Sequence, residues 1–507
     1  MSDFDKQALY WVAAVFVAVC ASSVLVFMKS FQVGVVGSFL VIAMALALRY
    51  PRLGLWLFLI YLPFGGTITY SIGSIYQAVG GKVVYSSAYG LFHLAKDAFY
   101  FPALVGLAFS RLTLPPKSLL VGFFCLLGVS LGTLLLVNLP QQLTADSGSP
   151  LLMGIIGLKI FVGYIPLILC ANYLIRDRTQ LFVFMRLQVV LMLICCSLCV
   201  VQYLFLVNGV CAGSSSLPEP ATFRASLQAR CFVGGSLLYN PTANLLRLPG
   251  TFVSPWQWGW FLIANSFFAF AAVVGERSRL WQILSIAAMG LIALAAVISG
   301  QRIALLVVPI ILLGLLVATQ PKRRLPMALG SVAFLLVLVS RMQLVQQQLV
   351  SLVERWQYSP PPEFMVGQMS EVMRNSLTLL GNGLGRATSA ARRLGEIRLI
   401  ETFHARLLYE VGIVGTIAFL VLVTILTILT FNAYRSIHSS SLRRLGLCLW
   451  LFVLFISYNP YYYPLAVDPV AVYYWFVAGV LLKLPALEQQ LPLDKDMADG
   501  MGHNYSR

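Results

Sequence analysis

The sequence predicts an all-α, polytopic integral membrane protein: a bundle of about 14 (12–14) transmembrane helices with two long outer loops. Apolar residues make up 59% of the chain and charged residues only 10%, which is typical of proteins whose main solvent is lipid. Apolar runs of about 18 to 20 residues, long enough to cross the hydrocarbon core, recur from Leu9 to Leu484. We expect helices because lipid offers the backbone no other hydrogen-bond partners.

The individual spans follow from the positions of these runs. We expect them near residues 9–28, 31–48, 53–70, 96–110, 118–137, 152–175, 181–206, 257–275, 280–299, 303–319, 325–340, 408–431, 445–459 and 469–484. No small-residue cleavage site is evident behind the first span, so it is expected to be an uncleaved anchor and not a secretory signal peptide.

The spans divide the chain into six regions. These are N-terminal transmembrane helices (1–206), a first outer loop (207–256), central transmembrane helices (257–340), a large outer loop expected to carry the active site (341–407), C-terminal transmembrane helices (408–484) and a cytoplasmic tail (485–507).

Lysine and arginine in alternate short connections predict the orientation, because positive residues near span ends resist translocation. The connections concerned carry Arg49 and Arg52, Arg111 and Lys117, Arg176 and Arg178, Arg277 and Arg279, Lys322 to Arg324, and Arg435, Arg443 and Arg444. We expect a multi-pass inner-membrane protein with both termini cytoplasmic and both long loops on the outer side. The net charge of +17 partly reflects this bias, and no nucleic-acid partner is expected because no nucleic-acid motif accompanies it.

The cysteines and the sequence motifs indicate which disulfides, metal sites and cofactors to expect. Cys211 and Cys231 lie in the first outer loop, where an oxidising compartment allows a disulfide, and the sequence leaves open whether they pair. The other seven cysteines fall in predicted spans, where a thiol is a small apolar filler. The sequence contains no metal-ligand cluster, Walker-type loop or dinucleotide-binding loop, so we expect neither a metal site nor a cofactor.

The large outer loop contains arginine and no lysine. Its arginines are Arg341, Arg355, Arg374, Arg386, Arg392, Arg393, Arg398 and Arg406. A guanidinium presents two parallel donors that match a pair of phosphate oxygens, whereas lysine is a point charge. The pattern favours a diphosphate or another anion bound at the outer surface. The alternative is that the arginines pair with the glutamates of the loop or with lipid headgroups.

Two arginines outside this loop are also expected at the outer surface. Arg302 lies at the outer end of the tenth span, and Arg247 lies near the end of the first outer loop. A charge at a span end needs a partner. Both side chains can therefore point at one headgroup.

Glu401 and His404 precede the twelfth span in a segment that we expect to be helical. Three residues are nearly one helical turn, so the Glu401 carboxylate is expected to orient the His404 imidazole, which predicts a general base. The alternative is an interfacial histidine that hydrates the end of a span. Nearby, residues 381–386 (Gly-Asn-Gly-Leu-Gly-Arg) can either wrap backbone amides round an anion or form a turn between helices.

Four stretches between about residue 240 and residue 430 carry short motifs. They are Arg247-Leu-Pro-Gly250-Thr251-Phe252, Ser299-Gly-Gln-Arg302, Arg355-Trp356 with Gly381-x-Gly383-x-Gly385, and His404 with Leu408, Glu410, Gly412 and Gly415. In residue type, order and outer placement these stretches resemble the O-antigen ligase and O-antigen polymerase family of bacterial envelope glycosyltransferases. The first half of the chain resembles that family only in being a bundle of spans.

The resemblance implies inverting, metal-independent glycosyl transfer on the periplasmic face. The donor would be an undecaprenyl-diphosphate-linked glycan and the acceptor a glycan or a lipid, with membrane lipids, a flippase and export machinery as further partners. Arg247, Arg302 and either Arg355 or Arg386 would bind the diphosphate, and His404 would deprotonate the acceptor. Ala405 follows His404 where ligases typically have asparagine, and Glu401 stands where polymerase-like members place an acid. This departure favours a polymerase and leaves open whether Glu401 or His404 is the base.

Two rival classes remain. Many spans and a basic outer vestibule would also suit a transporter or channel for a small anion. Against it, the sequence shows no inverted repeat or pair of broken spans, and its ionisable residues are expected to keep to one face. A non-catalytic scaffold of an export complex would tolerate loss of His404 and the arginines.

Overall fold

A computed structural model of the chain describes residues 3–28, 31–71, 89–108, 114–145, 147–319, 343–392 and 394–490. It is 76% helical with almost no sheet. The predicted all-helical fold class is therefore confirmed.

The described α-helices are numbered in chain order. They are α1 (Asp3–Met28), α2 (Phe31–Arg49), α3 (Pro51–Tyr61), α4 (Tyr89–Ala108), α5 (Lys117–Thr133), α6 (Leu139–Thr144), α7 (Pro150–Val162), α8 (Leu167–Leu174), α9 (Arg178–Val207), α10 (Pro255–Gly275), α11 (Arg279–Ile298), α12 (Arg302–Thr319), α13 (Gln343–Tyr358), α14 (Pro361–Asn375), α15 (Phe403–Arg435), α16 (Ser440–Tyr458) and α17 (Val470–Gln489).

Eight helical segments in the described residues are long and apolar enough to cross a membrane. They are Lys117–Thr144, which joins α5 to α6, and helices α9, α10, α11, α12, α15, α16 and α17. Large apolar side chains remain exposed on these helices, such as Val121 and Ile283, as expected for surfaces that face lipid. The chain is therefore a multi-pass helical membrane protein.

The predicted number of spans is only partly matched. The predicted spans 9–28, 31–48 and 53–70 coincide with shorter apolar helices, and 325–340 lies outside the described residues. Several boundaries differ from those predicted; for example, α15 begins at Phe403, before residue 408, and α17 continues past residue 484 to Gln489. Both of these helix ends carry charged residues, such as Arg406 and Glu488, because a helix can continue beyond its apolar run. The total of 14 stays a prediction.

The predicted span 152–175 is broken in the structure. Helices α7 and α8 form a pair bent by 45°; Pro166 lies in the bend and cannot donate a backbone hydrogen bond. Helix α3 runs on into a 3₁₀ turn and a π turn (Thr67–Ser71), and α5 runs on into the π turn Leu134–Asn138. These breaks leave backbone groups that neighbouring segments must satisfy.

Helix α10 forms the centre of the bundle. Nearly all of its side chains are buried, because α9, α11, α12, α16 and α17 pack round it. Helix α17 is the second buried helix and lies between α8, α15 and α16. Helices α1 to α4 pack mainly on one another. Contacts of α3 with α8, and of α4 side chains with α7 and with Asp468, join them to the rest.

The predicted first outer loop corresponds to the long connection between α9 and α10. It contains an antiparallel hairpin of β1 (Leu238–Asn240) and β2 (Leu245–Arg247), in which Leu238 pairs with Arg247. The structure joins Cys211 to Cys231 in a disulfide, with Cα atoms 5.7 Å apart. This answers the question that the sequence left open.

The end of the large outer loop docks into a break in α15. Gly412 has φ 68° and ψ −166° inside this helix, a conformation that only glycine adopts without strain. The break frees backbone groups, and residues 378–386, here called the glycine turn, bond to them. The amides of Ile413 and Val414 donate to the carbonyl oxygens of Thr378 (3.2 Å) and Leu379 (3.2 Å). The amide of Asn382 donates to Tyr409 O at 2.7 Å.

The other side of the glycine turn packs on α5 and α7. The Asn138 side chain accepts a hydrogen bond from Leu384 N (2.9 Å) and donates one to Leu384 O (3.0 Å). A Cβ atom on Gly385 would lie 2.0 Å from Met153 O, so only glycine allows this close approach. The amides of Asn382 and Leu384 are thus used inside the protein. The structure supports a turn between helices and not an anion-binding loop.

We predict that Gly412→Ala lowers thermal stability, because it adds about 1–3 kcal/mol of backbone strain and a Cβ atom 2.4 Å from Gly381 N. Thermal unfolding of the purified protein in detergent measures this. Gly290→Ala on α11 is the matched control: its Cβ would meet nothing within 4 Å, and alanine favours a helix by about 0.5–1 kcal/mol. Equal melting temperatures for the two variants would contradict the docking role of Gly412.

Candidate active site

The structure brings together the two outer motifs that carry Arg247 and Arg302. Leu248 N donates to Ser299 O at 3.0 Å. Gly300 has φ +63°, and a Cβ there would lie 2.0 Å from Leu246 O. The end of β2 and the turn before α12 are therefore in backbone contact, as the expectation of one shared headgroup requires.

Arg302 also connects α12 to α13. Its guanidinium donates to Ser351 Oγ through Nε (3.1 Å) and Nη2 (2.8 Å). Ser351 lines a polar cavity of about 450 Å³ together with Asn244, Gln346, Gln347, Val350 and Glu354. Arg355 is also on α13, but its side chain lies outside the described part of the chain.

Arg386 borders a different cavity, so the expected single cluster of arginines divides into two. This second cavity measures about 440 Å³ and is lined by Gln141, Asn382, Arg386, Glu396, Ile397, Arg398 and Tyr409. The Arg386 guanidinium donates to the neutral Gln141 Oε1 through Nε (3.2 Å) and Nη2 (2.8 Å). The cavities share no lining residue. The turn between β1 and β2 lines one together with α13, and the glycine turn lines the other together with residues 396–398.

The outer arginines differ in their partners. Arg398 forms an ion pair with Glu371, and buried Arg406 lies with its Nε 3.6 Å from a Glu410 oxygen. Arg398 and Arg406 therefore pair with glutamates, which is the alternative to binding an external anion. Among the described residues, neither Arg247 nor Arg386 forms an ion pair. An arginine with no carboxylate partner keeps its charge for an external anion.

The pairing of Arg406 with Glu410 was not foreseen from the sequence. Glu410 accepts from Ala387 N (2.7 Å) and Thr388 Oγ1 (3.1 Å), and Arg406 donates to Thr388 Oγ1. The network joins the first turns of α15 to the residues that follow the glycine turn. The sequence contains a pattern that could have predicted this ion pair: Arg406 and Glu410 are four residues apart and therefore share one face of a helix.

His404 lies in the first turn of α15, with Phe403 next to it at a ring-centroid distance of 6.0 Å. Its Nε2 is buried and has no hydrogen-bond partner among the described residues. A neutral ring nitrogen without a partner can accept a proton, and a substrate hydroxyl has to displace the side chains that cover Nε2 to reach it.

Glu401 is not on the same helix as His404, which corrects the expectation of a shared helical face. Thr402 is the N-cap of α15 and has extended backbone angles, and Glu401 precedes it. The Gln368 side chain of α14 fixes this extended segment by accepting from Glu401 N (2.9 Å) and Thr402 N (3.1 Å). No described hydrogen bond joins the Glu401 carboxylate to His404.

The segment 459–469, which links α16 to α17, lies against the start of α15. Phe403 N donates to Pro460 O at 2.6 Å, and Thr402 forms an antiparallel β-bridge with Tyr461. The Arg406 guanidinium lies over the Tyr463 ring, 5.1 Å from its centroid. This segment therefore helps to set the position of the first turn of α15.

A second group of ionisable residues lies apart from the arginines of the large outer loop. Lys96 and Asp97 on α4 pair with Asp468 and with Lys159 on α7, respectively. Asp97 is only 8% exposed. The signal was present in the sequence, because Lys96 and Lys159 fall within apolar runs, where a charge requires a partner.

In comparisons with known proteins, no family model matches the chain and no curated protein matches it. The function of this site is therefore argued from its geometry and from the motif resemblance.

We predict that Arg406→Ala destabilises the protein by about 3–5 kcal/mol, because it leaves the Glu410 carboxylate buried without its cation. Thermal unfolding at constant detergent and pH measures the loss. Arg374→Ala is the control, since Arg374 is exposed in the last turn of α14. If the two variants unfold at the same temperature, the buried network does not stabilise α15.

Proposed function

We propose that the chain is a glycosyltransferase that uses an undecaprenyl-diphosphate-linked glycan as donor and a glycan or lipid as acceptor. A polysaccharide polymerase is favoured over a ligase because Glu401 and His404-Ala405 depart from the ligase pattern. The observation that carries the proposal is the buried, unpartnered Nε2 of His404 at the start of α15, in a region rich in arginine.

Arg247 and Arg302 are proposed to bind the donor diphosphate. The contact between β2 and the turn before α12 supports this role, and so does the polar cavity beside Ser351. Two guanidinium groups would neutralise the charge that grows on the leaving diphosphate. Arg386 is proposed to contact the saccharide in the second cavity, because its described partner is the neutral Gln141. Arg355 keeps the proposed role of a third diphosphate ligand.

The proposed reaction is a single displacement. The acceptor hydroxyl oxygen forms a bond to the anomeric carbon while the bond from that carbon to the diphosphate oxygen breaks, which inverts the anomeric configuration. The hydroxyl proton passes to His404 Nε2, and undecaprenyl diphosphate leaves. Glu401 is the alternative base. The activated donor supplies the energy, so the reaction as proposed needs neither nucleotide nor metal ion.

The proposed setting is the periplasmic face of the bacterial inner membrane, with both termini cytoplasmic. The distribution of lysine and arginine supports this orientation, and a disulfide in the first outer loop agrees with an oxidising compartment. A flippase and export machinery are the proposed partners, since the donor must be delivered and the product removed.

The test is in vitro transfer from a synthetic undecaprenyl-diphosphate oligosaccharide, together with glycan chain length on gels, at matched membrane abundance. His404→Ala is expected to lower transfer about 100-fold or more by removing the base. Arg302→Ala is expected to lower it about 100-fold by removing charge stabilisation. Glu401→Gln should retain more activity than His404→Ala, because its carboxylate is not bonded to the imidazole.

Arg392→Ala provides the control, since Arg392 is an exposed arginine of the same outer loop and should leave transfer unchanged. Full activity in His404→Ala and Glu401→Gln would exclude both bases and contradict the proposed mechanism.

One observation favours a second candidate, a transporter for a small anion. Charged residues on α4 and α7 lie within the bundle, and α7 belongs to the bent pair, a combination that occurs in transporter sites. The charges are paired to neutrality, which weakens this candidate. Anion flux into proteoliposomes without glycan transfer would establish it and exclude the transferase.

A further inference from the structure

Four charged side chains, each between 9% and 26% exposed, form a partly buried cluster between distant parts of the chain, here called the four-charge cluster: Lys96, Asp97, Lys159 and Asp468. Lys96 contacts Asp468 although 372 positions separate them in sequence, and Lys159 contacts Asp97. Lys96 also interacts electrostatically with Asp97, and Asp468 with Lys159. The cluster therefore holds two positive and two negative charges and is neutral overall.

The cluster costs free energy to bury. Each charge leaves water, and a pair in the interior is often no more stable than two apolar residues of similar size. Asp97 Oδ1 is buried and has no hydrogen-bond partner among the described residues, which adds to the cost. Stability alone is thus a poor explanation for these four residues, and a role in fixing geometry explains them better.

The Lys96–Asp468 pair fixes one end of the segment 459–469. Asp468 directly precedes Pro469 and α17, and Tyr164, in the bend between α7 and α8, also hydrogen-bonds to it. The other end of the segment carries Pro460, Tyr461 and Tyr463, which contact the first turn of α15. A continuous set of contacts therefore runs from α4 through this segment to the helix that carries His404.

We propose that Lys96 and Asp468 are positioning residues for the His404 end of α15. This inference rests on the proposed function, because positioning matters only if His404 acts on a bound substrate. The pair acts through segment 459–469 and does not touch substrate. Its loss should affect the catalytic step and leave binding of the donor diphosphate, at Arg247 and Arg302, unchanged.

The test separates position from stability by using a double variant. Lys96→Met alone removes the cation in direct contact with the partly buried Asp468 and should destabilise the protein. Lys96→Met with Asp468→Leu removes both charges and should restore the melting temperature. We expect this double variant to keep the donor KM within about twofold while kcat falls about tenfold or more, because a small misplacement of a catalytic group is costly.

A second measurement, disulfide cross-linking, does not depend on glycosyltransferase activity. Thr402 and Tyr461 are β-bridge partners, so cysteines at these two positions are close enough to form a disulfide. We expect Thr402→Cys with Tyr461→Cys to cross-link readily in the otherwise unchanged chain and several-fold more slowly in the double variant, as measured by mass spectrometry of the joined peptides.

The ion pair between partly exposed Arg186 and buried Glu276, at the other end of the bundle, supplies the control. Arg186→Met with Glu276→Leu should change neither kcat nor cross-linking. Normal kcat and cross-linking in the Lys96/Asp468 double variant would overturn the inference. If the unchanged protein transfers no glycan, the proposed function fails, and the cross-linking rate still shows whether the pair positions α15.

Discussion

The arrangement of the outer region depends on the glycine turn that enters the break in α15. In a bundle surrounded by lipid, the backbone groups freed at Gly412 need partners inside the protein. Thr378, Leu379 and Asn382 supply these partners, and Asn138 holds the opposite side of the turn. The buried Glu410 and its contacts then fix the residues after the turn to the same helix. One helix break thus positions both the second cavity and the turn of α15 that carries His404.

Charge in this protein is divided between structural and functional uses. Arg398 and Arg406 are neutralised by glutamates, so they hold the outer loop together. Arg386 hydrogen-bonds a neutral amide, so no described carboxylate neutralises its charge. Inside the bundle both kinds of cation are paired: Lys96 and Lys159 each pair with an aspartate, and Arg186 pairs with Glu276.

The sequence predicts the helices well because a long apolar run has one stable form in lipid. It predicts their breaks poorly, since the runs around Pro166 and Gly412 are as apolar as unbroken helices. The sequence predicts that Arg247 and Arg302 lie close together, because both stand at the same predicted end of a span. It does not predict that Arg386 lies in a different cavity from these two, because that depends on the path of the glycine turn. The predicted helical position of Glu401 is wrong because α15 begins only at Phe403. The Gln368 side chain holds Glu401 in an extended segment, and this contact is not evident from the sequence because the two residues are 33 positions apart.

The central claim is that the protein transfers a glycan from undecaprenyl diphosphate to an acceptor. The most direct test is to measure whether undecaprenyl diphosphate is released. Purified protein is incubated with a synthetic undecaprenyl-diphosphate oligosaccharide and acceptor in the presence of a metal chelator and without nucleotide, and products are followed by mass spectrometry and NMR. The proposed transfer predicts one undecaprenyl diphosphate released per glycosidic bond formed, with an inverted anomeric centre. Intact donor together with anion movement across proteoliposomes would contradict the transferase and support the transporter.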